Sequence, residues 1–189
     1  MPGDVRARMI EGAIRLLAQQ GLQATSFSEV LELTGAPRGS VYHHFPEGKD
    51  QLISAAIDRA GAHALQALEG KEGASAEEIT AFFLGIWREL LVRSQFGAGC
   101  AVLAVTVATD SQDLLHHAGT VFRSWRGQLA ALYEQGGLAP REAMRFATTL
   151  VAASEGAVVL SRAERNLEPF DLVMEQLLEQ ARTMTQRKG

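Results

Sequence analysis

Cysteine is almost absent from this chain. Cys100 is the only one in 189 residues, which excludes an internal disulfide and fits a reducing compartment. It lies in an apolar run, where a cysteine ordinarily serves as a small buried hydrophobe. Excess positive charge is lacking too. The 18 Lys and Arg stand against 22 Asp and Glu, for a net charge of −4. The first 52 residues hold five basic side chains against six acidic ones. A nucleic-acid partner would therefore have to be met by where charge sits, not by its amount. Met1 to Arg15 has no long apolar core of the kind a signal peptide needs. Apolar stretches reach no further than the segment Ala98 to Ala108, too short to cross a bilayer. The expectation is a soluble, cytoplasmic protein with no membrane partner. Also missing are Gly-x-Ser-x-Gly, a phosphate loop, zinc-ligand spacing and a nucleophile–base pair within one segment. No catalytic residue, metal site or cofactor is expected.

Helical periodicity is abundant. Ile10, Ala13, Ile14, Leu17 and Ala18 recur at three and four residues and form one apolar face, with Gly21 as its stop. Ser26 and Glu29 have the spacing of a capping box and open a short helix from Phe27 to about Thr34, which Gly35 ends. Pro37 can occupy a first-turn position, so a second short helix is predicted from there to about Phe45. Pro46-Glu47-Gly48 breaks the chain before a longer helix from Lys49 to about Gly70. Ser75 and Glu78 repeat the capping box and open a helix to about Arg93. The segment from Gly97 to Thr109 carries strand formers but has no partner strand, and reads as a buried helix. Asp110 or Ser111 caps a helix to about Gln135, Pro140 opens one to about Arg165, and Pro169 opens the last. The fold class is all-α, with about nine helices. The predicted division is a helix-turn-helix domain over 1–48, a connecting helix over 49–70 and a larger helical domain over 71–189.

Two short helices joined by a glycine turn and braced by a third form a helix-turn-helix pattern, whose second helix enters the major groove of DNA. Val30, Leu33, Val41 and Phe45 can pack this unit inward. Arg38, Gly39, Ser40, Tyr42, His43 and His44 are left on or near the outer side. From Leu33 to Pro46 the only full charge is Arg38. Arg38 suits a guanine edge, which it can grip with two donors. Tyr42 and His43 suit phosphate oxygens. Thr25, Ser26 and Ser28 sit at a helix start whose free N–H groups favour an anion, and Lys49 adds a positive charge. The bland alternatives are a core aromatic for Tyr42 and a metal pair for His43-His44. Adjacent positions point to different helix faces, which speaks against the metal.

The stretch Gly21…Thr25-Ser26-Phe27-Ser28-Glu29-Val30…Gly35-Ala36-Pro37-Arg38-Gly39-Ser40-Val41-Tyr42-His43-His44-Phe45…Lys49…Leu52 resembles the DNA-binding signature of the TetR family of repressors. The resemblance implies a homodimer, each subunit with a three-helix DNA-binding domain and a larger helical domain for effector and dimer contacts. It implies phosphate contacts at Thr25, Tyr42, His43 and Lys49, and base contacts among Pro37, Arg38, Gly39 and Ser40. Two departures stand out. Ala36-Pro37 replaces the Val-Ser of many relatives, which removes a serine cap, and the loop before Lys49 is one residue longer. The run from Ala36 to Pro46, with Gly99-Cys100 later, resembles a branch that includes regulators of drug efflux and flavonoid response.

The larger domain has broad apolar stripes, which are usually core but can also enclose a cavity with few polar groups. Candidate lining residues for a small hydrophobic effector are Phe83, Trp87, Leu90, Cys100, Leu103, Val107, Phe122, Trp125 and Leu150, with His117, Arg126 and Glu155 as polar members. In the family the last two long helices build the dimer interface, and Ala152, Ala153 and Gly156 would allow close approach there. The expected partners are thus double-stranded DNA with a near-palindromic operator, a small hydrophobic effector and a second copy of the chain. The rival reading is a helical small-molecule binder or enzyme without DNA function. The outward set Arg38, Gly39, Ser40, Tyr42 and His43 argues against it, since a packing unit has no need of them.

Overall fold

The computed structural model describes residues 2–186. Among the described residues there are nine helices and no strand: α1 (Pro2–Ala24), α2 (Phe27–Thr34), α3 (Ser40–His44), α4 (Lys49–Ala67), α5 (Ala76–Arg93), α6 (Ala101–Ala108), α7 (Gln112–Gln135), α8 (Pro140–Glu164) and α9 (Glu168–Gln186). They group into two compact units. One holds residues up to His63 together with Cys100–Phe122; the other holds Ala64–Gly99 and the chain from Arg123 onward. Helices α4 and α7 each give residues to both, and α6 belongs with the N-terminal helices although it follows α5 in sequence.

The first unit is built on α1, whose buried side chains include Met9, Ala13, Leu16 and Leu17. Val30 of α2, Val41 of α3 and Leu52, Ile53 and Ile57 of α4 are buried in the same unit. Gly12 lets α2 close in: a Cβ there would collide with Thr34 Cγ2. At Gly21 (φ 82°) the helical geometry of α1 is interrupted, as a glycine stop predicts. Leu33, expected inward, is 40% exposed, whereas Val30 one turn back is fully buried. The box at Ser26 is one-sided. Ser26 Oγ accepts from Glu29 N at 3.2 Å, but no return bond from the Glu29 carboxylate is made among the described residues. Helix α6 packs along α1, and Gln23 Nε2 donates to the Ala108 carbonyl at its end (3.3 Å). Cys100 caps α6, its Sγ accepting from Leu103 N at 3.3 Å.

The second unit centres on α5, α8 and α9. The capping box of α5 is complete, with Ser75 Oγ accepting from Glu78 N and the Glu78 carboxylate accepting from Ser75 N. Two ion pairs tie α5 to an antiparallel α9: Arg88 grips Asp171 with two bonds (2.8 and 3.2 Å), and Arg182 meets Glu77 at 2.7 Å. Inside, Tyr133 of α7 is fully buried, 2.8 Å from Thr80 of α5 and stacked at a tilt on Phe146 of α8. The loop before α6 places Gln95 and Phe96 in the left-handed region (φ 51° and 62°), and arginines of the α8 end, Arg162 and Arg165, donate to the carbonyls of Gly97 and Gln95. The most apolar long stretch is not 98–108 as the sequence suggested. It is α8, long and apolar enough to span a bilayer, with half of its most apolar window buried inside the chain.

Candidate nucleic-acid interface

Gly35 shapes the turn between α2 and α3. Its φ of 64° ends α2, and its N–H returns to the Leu31 carbonyl at 2.9 Å. Ala36 is buried behind it. The second helix was expected to begin at Pro37 but begins at Ser40. A tighter turn precedes it, with Ser40 N bonded to Pro37 O (2.9 Å) and Val41 N to Arg38 O (3.4 Å). These are i→i+3 bonds, which close a narrower ring than the α-helical pattern. The residue before a proline is also biased to extended backbone, which keeps Ala36 out of the helix.

The turn and the helix present a consistent outer face. Pro37, Arg38, Gly39, Tyr42 and His43 are exposed, and His44 is half-buried. Tyr42 is 81% exposed while Phe45, three residues on, is 0% exposed; this contrast decides which aromatic is core. Arg38 makes no hydrogen bond or ion pair among the described residues, so its guanidinium is uncommitted. Arg6 places its guanidinium 5.3 Å from the Phe45 ring, adding a positive charge beside the end of α3. Sequence reasoning missed this one, and the only available signal was the Arg6-x-Arg8 pair ahead of the first apolar face. His43 and His44 do not diverge as expected. Their rings meet edge-on at 4.9 Å, because a helical step of about 100° still lets two flat rings swing together past the helix end. Among the described residues no group of three or more His, Cys, Asp or Glu is placed to hold a metal ion.

Three expected DNA contacts are altered. Thr25 is 1% exposed, and its hydroxyl donates to the Gly21 carbonyl at 2.8 Å. A hydroxyl has one proton to give, so none remains for a phosphate. Ser40 is half-buried and spends its proton on the Pro37 carbonyl at 2.5 Å. Lys49 is half-buried with Nζ donating to the Leu22 carbonyl (3.1 Å). An ammonium has three donors, so two remain after the bond to Leu22. Ser26 is the α2 cap, and Ser28 beside it is exposed.

The expected effector-lining residues divide between the units. In the second unit Phe83, Trp87, Trp125, Leu150 and Glu155 are buried, and Leu90 and Arg126 are half-buried. The structure brings three of them together: Phe83 and Trp87 meet edge-on at 6.5 Å, and Trp87 and Trp125 at 6.2 Å. In the first unit Cys100 is buried, and Leu103 and Phe122 are half-buried. Val107 is 74% exposed, so it lines no interior. His117 is occupied by Asp58, with Nε2 to Oδ1 at 2.6 Å. None of these residues lines a cleft of about 350 Å³ beside Phe146 and Met184 or one of about 550 Å³ between α1 and α4.

Comparison with known proteins agrees with this geometry. Residues 9–56 match the family described as bacterial regulatory proteins, tetR family, and residues 75–176 match the C-terminal domain of LmrA/YxaF-like transcriptional regulators. The chain is 37% identical over 179 residues to the HTH-type transcriptional regulator Rv0196 of Mycobacterium tuberculosis, covering 91% of each. It is 30% identical to the HTH-type transcriptional regulator YxaF of Bacillus subtilis, over 93% of this chain and 94% of that one. A solved TetR-family regulator from Cytophaga hutchinsonii matches with a TM-score of 0.75 at 26% identity, over 97% of this chain and 96% of that one. Regulators of this family bind DNA operators and small-molecule effectors and act as dimers. With an outward recognition helix on a three-helix frame and matches across both halves, this chain belongs to the TetR family of DNA-binding transcriptional regulators and is not an enzyme.

Proposed function

We propose that the chain is a homodimeric repressor that binds a near-palindromic operator and leaves it when a small hydrophobic ligand binds. The observation that carries the reading is the exposed surface of the recognition segment, with an uncommitted Arg38 and a Tyr42 that is 81% exposed. Arg38 reads a base edge, while Tyr42, His43, Ser28 and Lys49 hold the phosphate backbone. Two such segments would enter successive major grooves about 34–36 Å apart.

Dimerisation supplies the second segment, since one short helix rarely binds tightly enough alone. The exposed face of α8 carries Ala152, Gly156, Val159 and Leu160, and that of α9 carries Leu172. Small residues flanked by exposed apolar ones suit close helix packing with a twofold mate. For the effector, the buried cluster Phe83, Trp87 and Trp125, with Glu155 and Arg126 as polar members of the same unit, suits an aromatic or otherwise hydrophobic ligand. The run from Ala36 to Pro46, with Gly99-Cys100 later, supports the branch that includes drug-efflux and flavonoid-responsive regulators.

The test begins with operator selection from random duplex DNA, followed by a compound screen for release. Arg38→Ala should weaken binding to the selected operator by about 1–3 kcal/mol. Equal affinity of the two proteins would remove Arg38 from its role. Binding that does not weaken as salt rises would remove the DNA surface altogether.

A further inference from the structure

The unit that carries the recognition segment is poor in cations. Residues 1–63 hold six basic side chains, and several are engaged within the fold. Arg8 donates to the Thr34 carbonyl at 3.1 Å, Lys49 donates to that of Leu22, and Arg59 pairs with Glu11 at 3.2 Å. Arg38 is assigned to a base edge. Of the side chains assigned to phosphates, only Lys49 carries a permanent charge. Duplex DNA presents one negative charge for about every 1.7 Å of its axis, so a single ammonium per subunit is a thin complement.

Two cations remain, Arg15 and Arg6, and the fold brings Arg6 to the end of α3. Its exposed guanidinium lies over the Phe45 ring, 5.3 Å from the centroid. That ring is fixed by packing. Phe45 is 0% exposed, its N–H is bonded to the Val41 carbonyl at 2.8 Å, and it meets the Phe27 ring at 6.5 Å. Phe27 opens α2 beside Ser28, and Phe45 follows α3 directly. The ring pair thus joins the start of α2 to the end of α3, two places assigned to phosphates. A cation–π contact uses the charge of the guanidinium and none of its five N–H donors. Those donors form a planar fork suited to a two-bond grip on phosphate.

We infer that Arg6 grips a phosphate of the operator backbone, so that α1 joins the helix-turn-helix in holding DNA. Phe45 is the platform that keeps the guanidinium at the edge of the recognition segment. The inference rests on the proposed reading of that segment and adds a contact from outside it. Residue 6 precedes the residues 9–56 that match the family. A backbone contact of this kind strengthens binding without choosing a sequence.

The test uses the full chain, the selected operator and a random-sequence duplex of equal length. Arg6→Gln should weaken binding to both duplexes by the same factor, about eightfold per subunit at 0.1 M salt. The slope of log affinity against log salt should fall by about 0.9 per subunit. Arg6→Lys should keep the slope, because charge sets it. Arg59→Gln removes the same charge elsewhere in the unit and should leave the slope as it is. Weaker binding at the parental slope would make Arg6 a prop for Phe45 and overturn the inference. An equal fall of slope in Arg59→Gln, or in Arg6→Lys, would also overturn it, since no local charged contact would then be at work. Unchanged affinity and slope in Arg6→Gln, with Arg38→Ala still impaired, would overturn the inference and leave the recognition surface standing. If Arg6→Gln and Arg38→Ala both bind like the parent, the recognition surface itself is wrong.

Discussion

His117 of α7 and Asp58 of α4 meet at 2.6 Å, and one turn further along both helices Val121 occupies the place where Gly61 has no side chain. The two contacts lock α4 to α7 within the first unit. The polar one is half-exposed, with side-chain exposures of 38% for His117 and 59% for Asp58. Asp58→Asn should therefore shift stability by no more than about 1 kcal/mol, as urea denaturation would show. A far larger loss would mean that the pair is buried in the working molecule.

The apolar contact is the stronger lock. A Cβ on Gly61 would stand 2.6 Å from Val121 Cγ1, and a β-branched side chain in a helix has little rotamer freedom to move away. Gly61→Ala gains up to about 1 kcal/mol in helix propensity, but overpacking costs about 1–3 kcal/mol. The net expectation is destabilisation. Adding Val121→Ala to Gly61→Ala should recover stability, so the two changes should be non-additive in a double-mutant cycle. Simple additivity would show that the contact does not constrain the helices.

Thr25 separates a fold role from a DNA role. Its hydroxyl is buried and bonded to Gly21 O at 2.8 Å. Thr25→Val should thus cost about 1 kcal/mol of stability, the worth of one hydrogen bond, while operator affinity of the folded protein is unchanged in gel shifts. A selective loss of affinity with unaltered melting would return the residue to the phosphate-contacting set.

What the sequence disclosed and what it hid follow one physical line. The complete box at Ser75 and Glu78, the stop at Gly35 and the proline start of α8 were legible because each is a bond or a φ preference within a few residues. Tyr42 and Phe45 stand three apart and share a helix face by period, so the polar tip of the phenol and its neighbouring histidines told them apart. The inward turn of the Thr25 and Ser40 hydroxyls was not legible, since it depends on which carbonyl lies nearest once the chain is folded. The pairing of His117 with Asp58 spans 59 residues, and no periodicity encodes it. For the same reason α6 was read as part of the larger domain, although it packs on α1.

The capping box of α5 predicts an acid limb. The Glu78 carboxylate is held below its ordinary range first by the Ser75 backbone N–H and then by the Ser75 hydroxyl; desolvation opposes them, and Lys71 adds a smaller lowering. A carboxylate depressed in the folded state stabilises the protein above its unfolded value near 4.5 and loses that effect as pH falls through the folded value. Glu78→Gln should therefore flatten the decline of melting temperature between neutral pH and about pH 3. An identical decline in both proteins would show that the carboxylate takes no part.

Tyr133 predicts the alkaline counterpart. Thr80 Oγ1 gives its proton to the Ala76 carbonyl at 2.7 Å, so in the 2.8 Å contact between the two hydroxyls Tyr133 must be the donor. Burial raises the phenol above its ordinary value of 10.0. The folded chain thus holds this proton more tightly than the unfolded chain does. Its stabilising effect is whole below the unfolded value and fades as pH rises toward the folded one. Tyr133→Phe should cost about 1 kcal/mol at neutral pH, through the lost hydrogen bond, and should reduce the fall in stability above about pH 10. Urea midpoints for both proteins at neutral and alkaline pH measure the two effects together. A phenylalanine variant that declines as steeply as the parent in alkali would show that this phenol is not the group that ionises there.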